Sequence, residues 1–379
     1  MSNLRTRLVT LLVVALALAP VLPASAHFAS AGVKLTLVKS VPIAGVQLAS
    51  TSGGTLFALT NKGIVAELSP SGQLLHTFAL RASAIAITPD GATLYAVQKK
   101  GKDVAIVNTS TGATENTIVS SAMTDPTSIA LSPHGNTLYV LNRGTNTYNP
   151  DSVIAFSTQT GNRTWTDKIG VVGSAGAGLS VSADGQTVYV PSGGSMFGGN
   201  SGASPYGGFS AVNTALSSHS DVRLRGSYDV NSVTTTPGGN TAWVAAEGMP
   251  GMYRPAVYVY DLQSGKVMRT LRAPGSAPVS VALSPANAFV AFNNNLDYAQ
   301  TYDSGGKAIN YVGIYGIAGG GMVGKIVHAF PPIKGLLVSA NGTGENLDVL
   351  TVRGLYLYSI PAPVAATTTG TTSSGSTAS

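Results

Sequence analysis

A short turn motif followed by an apolar run recurs along the chain, about every 40 to 55 residues. The clearest copy has Pro89-Asp90-Gly91 before Leu94-Tyr95. Six further copies keep this order of a turn and an apolar pair, three of them in degenerate form; their turns begin at Ser52, Pro133, Ala183, Pro237, Pro285 and Ala340. A unit of this size cannot bury its apolar face alone, so stacked neighbours must cover it. The period therefore predicts a modular, closed architecture.

Each copy has the chemistry of a β-hairpin. Pro fixes φ at the corner, Asp or Asn tolerates the tight turn, and Gly supplies a positive φ. A second turn follows most hairpins, as in Asn108-Thr109-Ser110-Thr111-Gly112, and it adds a third and a fourth strand. Four antiparallel strands in each of seven units predict an all-β fold, a seven-bladed β-propeller.

The last unit lacks a fourth strand of its own. After a third strand at Tyr356–Ile360, the chain runs into Pro361 and a Thr/Ser-rich segment. The segment Val33–Val41 precedes the first copy and has strand character, so we expect it to complete the last blade and remove two exposed sheet edges. Fourth strands for the other six blades are predicted at Leu74–Leu80, Thr114–Ser120, Arg163–Ile169, Val222–Tyr228, Val267–Leu271 and Val323–Phe330.

The start of the chain has the features of a signal peptide. Arg5 and Arg7 precede an apolar run, and Ala24-Ser25-Ala26 suits a peptidase. An uncleaved anchor is the alternative, but the run is short for a bilayer, and we expect no membrane span after signal cleavage. The predicted organisation is a signal peptide over 1–26, one propeller domain over 27–360 and a disordered tail over 361–379.

Composition narrows the classes of function. Only 10% of the residues are charged, the net charge is +6, and Cys is absent. This composition disfavours a polybasic nucleic-acid-binding arm and excludes disulfides and thiolate metal sites. Because the chain has only 16 acidic residues, little stability depends on ionised carboxylates, and we expect the protein to stay folded at low pH.

The tetrapeptide Tyr139-Val140-Leu141-Asn142 lies in the apolar run of one clear copy. With it, the repeats between Val33 and Ile360 resemble the YVTN family of seven-bladed β-propellers. Neither Trp165 nor Trp243 is followed by Asp, which argues against WD repeats. The resemblance implies an exported or surface-associated propeller. It does not imply one activity, because the family includes binding proteins and the related lactonases.

Insertions are expected on one face of the ring. The loops between second and third strands share a face with the blade connections, and they contain the long segments Gly144–Asp151, Gly193–Gly208, Glu247–Pro255 and Asn293–Asn310. Variable loops on a rigid scaffold commonly carry function. The candidate ligand-binding residues in and beside these loops are Tyr148, Asn149, Asp151, Phe197, Tyr206, Tyr253, Arg254, Asp297, Tyr298 and Tyr302.

Two classes of function remain open. Aromatic rings beside amide and carboxylate groups favour binding of a glycan, a peptide or a surface protein without chemistry. The alternative is a lactonase-like hydrolase with Glu247, Asp297 or Arg254 near the channel mouth. The Tyr and Asn residues could also serve only to stabilise Gly-rich loops, and a calcium site at Asp297 and Asp303 fits no EF-hand spacing.

The five histidines do not form a recognisable catalytic pattern. None lies in the insertions, so we expect no His-activated Ser and no metal cluster, and no cofactor motif is present. A copper site at a newly exposed His27 would need a second His that the sequence does not place. The predicted positions are the mature N-terminus (His27), fourth strands (His76 and His328), a first turn (His134) and a connection between third and fourth strands (His219).

Overall fold

A computed structural model describes residues 11–12, 33–144, 150–169, 178–193, 206–248, 253–272, 276–294, 310–318, 321–326, 328 and 330–362. Within these residues the chain forms 29 β-strands, named β1 to β29 in chain order, and no helix. The predicted signal peptide and disordered tail lie outside the described residues, apart from β1 (Leu11–Leu12) and the first two residues of the tail. β1 pairs in parallel with the first strand of the first blade.

The remaining strands form seven four-stranded antiparallel sheets, the blades of a β-propeller. The predicted fold class and blade number are therefore confirmed. Blade 1 contains β3 (Gly45–Ser50), β4 (Leu56–Thr60), β5 (Val65–Leu68) and β6 (Leu74–Phe78). Blade 2 contains β7 (Ala82–Ile87), β8 (Thr93–Gln98), β9 (Asp103–Asn108) and β10 (Thr114–Val119). Blade 3 contains β11 (Pro126–Leu131), β12 (Thr137–Asn142), β13 (Ser152–Ser157) and β14 (Arg163–Lys168). Blade 4 contains β15 (Ser180–Val181), β16 (Thr187–Ser192), β17 (Gly208–Asn213) and β18 (Ser218–Arg223). Blade 5 contains β19 (Asp229–Thr235), β20 (Thr241–Glu247), β21 (Ala256–Asp261) and β22 (Lys266–Leu271). Blade 6 contains β23 (Ser276–Leu283), β24 (Asn287–Asn294), β25 (Tyr311–Gly316) and β26 (Met322–Ile326). Blade 7 contains β27 (Ile333–Ala340), β28 (Glu345–Thr351), β29 (Leu355–Ile360) and the N-terminal strand β2 (Thr36–Val41).

The N-terminal strand closes the ring as predicted. β2 pairs antiparallel with β29, and its register runs from Thr36 opposite Ser359 to Val41 opposite Leu355. Just before the strand, the Val33 amide donates to the carbonyl of Val323 in blade 6 at 3.2 Å. The same N-terminal segment therefore completes one blade and contacts the preceding one.

The predicted fourth strand of blade 4 is wrong. The sequence predicts it at Val222–Tyr228, whereas β18 begins at Ser218. The preceding turn is closed by Asn213, whose side-chain oxygen accepts from two turn amides, and Ser217 adopts φ +50° where other blades use Gly. Because no Gly marks this turn, the sequence pattern does not predict its position. As a consequence His219, predicted in a connection, lies inside β18.

The core lies between blades. In β4, Phe57 and Leu59 pack toward blade 2, while Leu56 and Ala58 pack toward blade 7. Both faces of this strand are buried, which is why it reads as a continuous apolar run. Full burial of such a side chain contributes about 1.5–3 kcal/mol to the free energy of folding. Because this burial occurs only between neighbouring blades, a single blade would lack most of this stabilisation.

Seven first strands form an inner ring around the axis, in which each contacts the next from β3 round to β27. Side chains bridge some of these neighbours by copying strand hydrogen bonds. The Gln47 amide group donates to the Ile85 carbonyl at 2.7 Å and accepts from the Ile85 amide at 2.8 Å. Asn293, on the second strand β24 of blade 6, makes the same double contact with Ile333 of β27, at 2.8 Å for each bond. These contacts fix the spacing of adjacent blades.

The turns between first and second strands, and between third and fourth strands, lie on what we term the tight-turn face. In blade 2 the Thr88 hydroxyl accepts from the Thr93 amide at 3.0 Å and donates to Asp90 at 2.6 Å. The Thr88 bond is the main reason that the pKa of Asp90 is lowered. Six blades place a hydroxyl residue at this point, at Thr51, Thr88, Ser132, Ser182, Thr236 and Ser284.

On the tight-turn face, a hydrogen bond also joins the two turns of a blade, and we term this contact the clasp. In blades 2, 3 and 4, a Thr hydroxyl of the second turn donates to the Gly carbonyl of the first, in the pairs Thr109 to Gly91 at 2.6 Å, Thr158 to Gly135 at 2.8 Å and Thr214 to Gly185 at 3.0 Å. Blades 5 and 6 have Leu262 and Ile317 at this position and keep only the backbone bond, at 2.9 and 3.0 Å.

Candidate functional site

All four insertions lie between the second and third strands of consecutive blades, 3 to 6. We term this side of the ring the insertion face. The corresponding loops of blades 1, 2 and 7 are short, as in Asn61 to Ile64 between β4 and β5. The uneven loop lengths predicted from the sequence therefore fall on one side of one half of the ring.

The described residues include four of the ten candidate ligand-binding residues: Asp151, Tyr206, Tyr253 and Arg254. The other six lie outside the described residues, as does Asp303 of the calcium hypothesis; they are Tyr148, Asn149, Phe197, Asp297, Tyr298 and Tyr302. The geometry of the candidate site therefore rests on the insertions of blades 3, 4 and 5.

Tyr206 and Tyr253 form an aromatic pair between neighbouring blades. Tyr206 ends the insertion of blade 4, Tyr253 lies in that of blade 5, and their ring centroids are 5.6 Å apart with an interplanar angle of 55°. Burial is the main cause of a raised pKa at Tyr253, followed by the effects of the Tyr206 hydroxyl. Two loops distant in sequence thus present a joint aromatic surface, which is the usual basis for stacking on a flat ligand.

Close backbone packing positions the two tyrosines. A Cβ on Gly208 would lie 1.9 Å from the Val222 carbonyl oxygen, and one on Gly207 would lie 2.3 Å from that of Tyr228. A Cβ on Gly248 would lie 2.1 Å from the Tyr253 carbonyl oxygen. Only Gly fits at these approaches. The glycines therefore hold the return of each insertion against its blade and limit where the tyrosine side chains can lie.

Two carboxylates lie at the insertion-face end of the inner strands of blade 5. Asp229 starts β19 and Glu247 ends β20, and they are direct cross-strand partners. Such partners have Cβ atoms about 4.5–5.5 Å apart, and like charges at that position are unfavourable unless other groups compensate. Asp229, Glu247 and Arg254 are each engaged in an interaction. The sequence identifies Glu247 and Arg254 but misses Asp229, because only the strand register brings Asp229 beside Glu247.

Asp151 closes the base of the blade 3 insertion. Its side chain is only 2% exposed, and one carboxylate oxygen accepts from the Gly144 amide at 2.7 Å. The Asp151 carbonyl accepts from the Ile169 amide at 2.9 Å. These contacts join the two ends of the loop, so Asp151 supports the insertion; a direct contact between Asp151 and a ligand stays a prediction.

The histidines of the described chain lie away from this site. His219 pairs with Asp167 of blade 3 at 2.9 Å on the outer strands, and His76 pairs with Glu67 at 3.0 Å. His328 lies just beyond β26 and packs against Phe330 and Tyr356. Within the described ranges no group of three or more His, Asp or Glu side chains is arranged to hold a metal ion.

Comparison with known proteins supports the fold and goes no further. No family model and no curated protein matches the chain. Among solved structures 1388 chains match, and one is a chain of hydrazine synthase from Kuenenia stuttgartiensis, with a TM-score of 0.62 and 16% identity over 90% of this chain and 99% of that one. At this identity the similarity shows a common propeller architecture without indicating a shared activity. In the described part of the chain, no helix has the length and apolarity needed to cross a membrane.

Proposed function

We propose that this propeller is an exported binding or scaffolding module of the YVTN type, which acts at or beyond the cell surface and binds its ligand on the insertion face. The predicted leader and the repeat pattern support export and the family. The shared architecture of seven blades is consistent with both, since such scaffolds present loops without a fixed chemistry.

The contact between Tyr206 and Tyr253 carries the proposal. This contact joins the insertions of blades 4 and 5 into one surface. Blade 5 also contains Asp229, Glu247 and Arg254. A ligand that offers a flat apolar face and several hydroxyl or amide groups, such as a glycan or a peptide, suits this combination. Each aromatic contact is worth on the order of 1 kcal/mol, so the site would have modest affinity.

Binding to immobilised glycan and peptide arrays tests the proposal. A variant with Tyr206→Ala and Tyr253→Ala should lose binding by about 10- to 100-fold while keeping its melting temperature, since two aromatic contacts are removed from loops and not from the core. Adding Tyr298→Ala extends the test to blade 6. Leu216→Ala is the matched control, because Leu216 is 73% exposed on the tight-turn face of blade 4. Unchanged binding by the double and triple variants would refute the proposal.

The cross-strand pair of Asp229 and Glu247, in the blade whose insertion contains Arg254, favours one second candidate, a lactonase-like hydrolase. Paired carboxylates whose environments differ can divide acid and base roles. Hydrolysis of a lactone panel by the parent protein, lost in Glu247→Gln and in Asp229→Asn, would establish this activity. Absence of hydrolysis, together with loss of array binding in the tyrosine variants, would leave the binding module as the function.

A further inference from the structure

A β-bulge recurs at the same position of the first strands that form the inner ring. Six of the seven first strands contain a β-bulge at the same point, where one residue is skipped in the pairing with the second strand. In blade 4, β15 pairs at only two positions, and residues 170–177 before it are outside the described range. The skipped residues are Val46, Ser83, Thr127, Asn231, Val279 and Lys334.

Burial shows where these skipped residues point. The residues that flank each bulge are buried, whereas every skipped residue is partly or fully accessible. After the bulge, Ser128 and Ser280 accept hydrogen bonds from amides of the next blade at 3.1 Å. The flanking side chains thus face neighbouring blades, and the accessible parts of the skipped side chains line the axial channel. Val46 and Val279 also pack in part against the cores between blades, and Asn231 donates to the Pro278 carbonyl of blade 6 at 3.2 Å. Each bulge lies near the start of its first strand, so this belt is at the insertion-face end of the channel.

Lys334 is the single ionisable residue in the described belt. Its neighbours in the ring are Val279 of blade 6 and Val46 of blade 1. The adjacent first strands, β23 and β3, contain no charged side chain. On its partner strand, Glu345 lies at the far end and Asp348 lies opposite Leu337, toward the interior of the blade. No described residue forms a hydrogen bond or an ion pair with the Lys334 ammonium.

An unpaired ammonium at a half-buried position is unfavourable for the protein alone. Burial lowers the pKa of Lys334, because the charged form loses solvation and no carboxylate replaces it. A ligand anion at this position would restore the missing charge partner, and charge-assisted hydrogen bonds are stronger than those between neutral groups. The equivalent bulge positions of the two neighbouring blades are both apolar, Val279 in blade 6 and Val46 in blade 1.

We propose that the axial channel binds a small monocarboxylate with an apolar body, whose carboxylate pairs with the Lys334 ammonium and whose body lies against Val46 and Val279. Ser83, Thr127 and Asn231 form the polar part of the same belt. Their side chains donate to backbone carbonyls, Ser83 to Val97 at 3.4 Å, Thr127 to Leu141 at 3.4 Å and Asn231 to Pro278 at 3.2 Å, so their acceptor oxygens are the groups offered to further polar atoms of the ligand. This site is separate from the tyrosine surface, since it lies on blade 7 and the inner strands.

Calorimetric titration with hexanoate tests the proposal, with hexanamide and inorganic phosphate as comparison probes. We expect saturable binding of hexanoate and at least tenfold weaker binding of both other probes, one lacking charge and the other lacking an apolar body. Lys334→Met should weaken hexanoate binding at least tenfold, and Lys334→Arg should retain most of it. Lys39→Met is the matched control, because Lys39 is an exposed lysine on β2 of the same blade.

A second measurement does not depend on a variant that folds. After reductive ¹³C-methylation, hexanoate should raise the pKa of the Lys334 dimethylamine, since a nearby anion stabilises its charged form, and should leave that of Lys39 unchanged. The proposal is overturned if the parent protein shows no saturable hexanoate binding, if Lys334→Met binds as the parent does, or if hexanoate shifts both lysines equally. Loss of the tyrosine surface in the array experiment would not affect any of these results.

Discussion

The tight-turn face and the insertion face are built on the same seven blades but in opposite ways. On the tight-turn face, short turns repeat similar hydroxyl and Gly positions, and in blades 2, 3 and 4 a Thr hydroxyl joins the two turns of the blade. On the insertion face, the loops between second and third strands range from the three residues between β28 and β29, 352–354, to the sixteen between β24 and β25, 295–310. Repetition is confined to one face and variation to the other.

This difference separates stability from recognition. Positions that repeat, such as Gly91 and Thr109, form the turns and hydrogen-bond to each other. Few of their polar groups therefore remain available to a ligand. Positions that depart from the repeat, such as Tyr206 and Tyr253, lie in insertions on a rigid scaffold, where binding residues are commonly found. Changes to the scaffold should therefore affect folding, and changes to the insertions should affect only ligands.

The largest expected effect is loss of the closing strand. Deleting residues 33–41 removes β2, exposes the edge of β29 and uncovers the apolar contacts of Val33 and Leu35. Because an open ring has two unpaired edges, we expect aggregation or loss of cooperative unfolding. Calorimetry and size-exclusion chromatography measure both. A deletion of the same length in the tail, residues 371–379, is the control, and a monomeric, cooperative Δ33–41 protein would contradict the prediction.

Next in size is the effect of pH on blade 7. Asp348 is fully buried in β28, and one carboxylate oxygen accepts from the Ser339 hydroxyl at 2.6 Å. The other oxygen has no hydrogen-bond partner among the described residues. Burial raises the pKa of Asp348 from 3.8 to about 7. Its contribution to stability is therefore full below pH 4 and is lost as pH rises toward 7, at about 1 kcal/mol per pH unit.

Asp348→Asn should remove this slope. We expect the variant to be more stable than the parent at pH 8 and of similar stability at pH 4, as measured by urea denaturation across pH. The same titration tests the expected acid tolerance of the whole protein. A parent that loses stability steadily between pH 6 and pH 4 would contradict both expectations.

A smaller effect is expected from the clasp on the tight-turn face. Thr109→Val, Thr158→Val and Thr214→Val each remove one hydroxyl bond, worth about 1 kcal/mol. The triple variant should lower the free energy of unfolding by about 3 kcal/mol without loss of the fold, because Leu262 already occupies this position in blade 5. Thr117→Val, on the exposed surface of β10, is the control. An unchanged triple variant would show that the clasp is not stabilising.

The smallest effect is expected on the insertion face. Replacing residues 194–205 by four residues such as Gly-Asn-Gly-Ser shortens a loop whose closure entropy depends only weakly on length, which changes stability by about 1 kcal/mol or less. A thermal melt measures it, with binding to the arrays as the second readout. A loss comparable to that of the triple Thr variant would show that this insertion supports the scaffold, and the contrast between the faces would fail.

The sequence was sufficient for the scaffold because its signals are local. Pro, Asp and Gly mark the first turns, and the missing fourth strand of the last blade identified Val33–Val41 as its partner. The one misplaced strand, β18, follows a turn in which Ser217 takes the place of Gly. The site was less predictable, since the pairing of Tyr206 with Tyr253 and the position of Asp229 beside Glu247 depend on contacts between distant residues. The belt around Lys334 depends on bulges, which leave no mark in composition.

Closure by β2 also sets an order of events during synthesis. β2 is among the first segments to leave the ribosome, and its partner β29 follows more than three hundred residues later, as Val41 pairs with Leu355. At roughly 5–20 residues per second, the wait is roughly 15 seconds to a minute. Throughout that interval β2 has no pairing partner, and the propeller ring cannot close until the last blade has been synthesised. Any truncation that removes β29, which ends at Ile360, would therefore leave β2 unpaired as well.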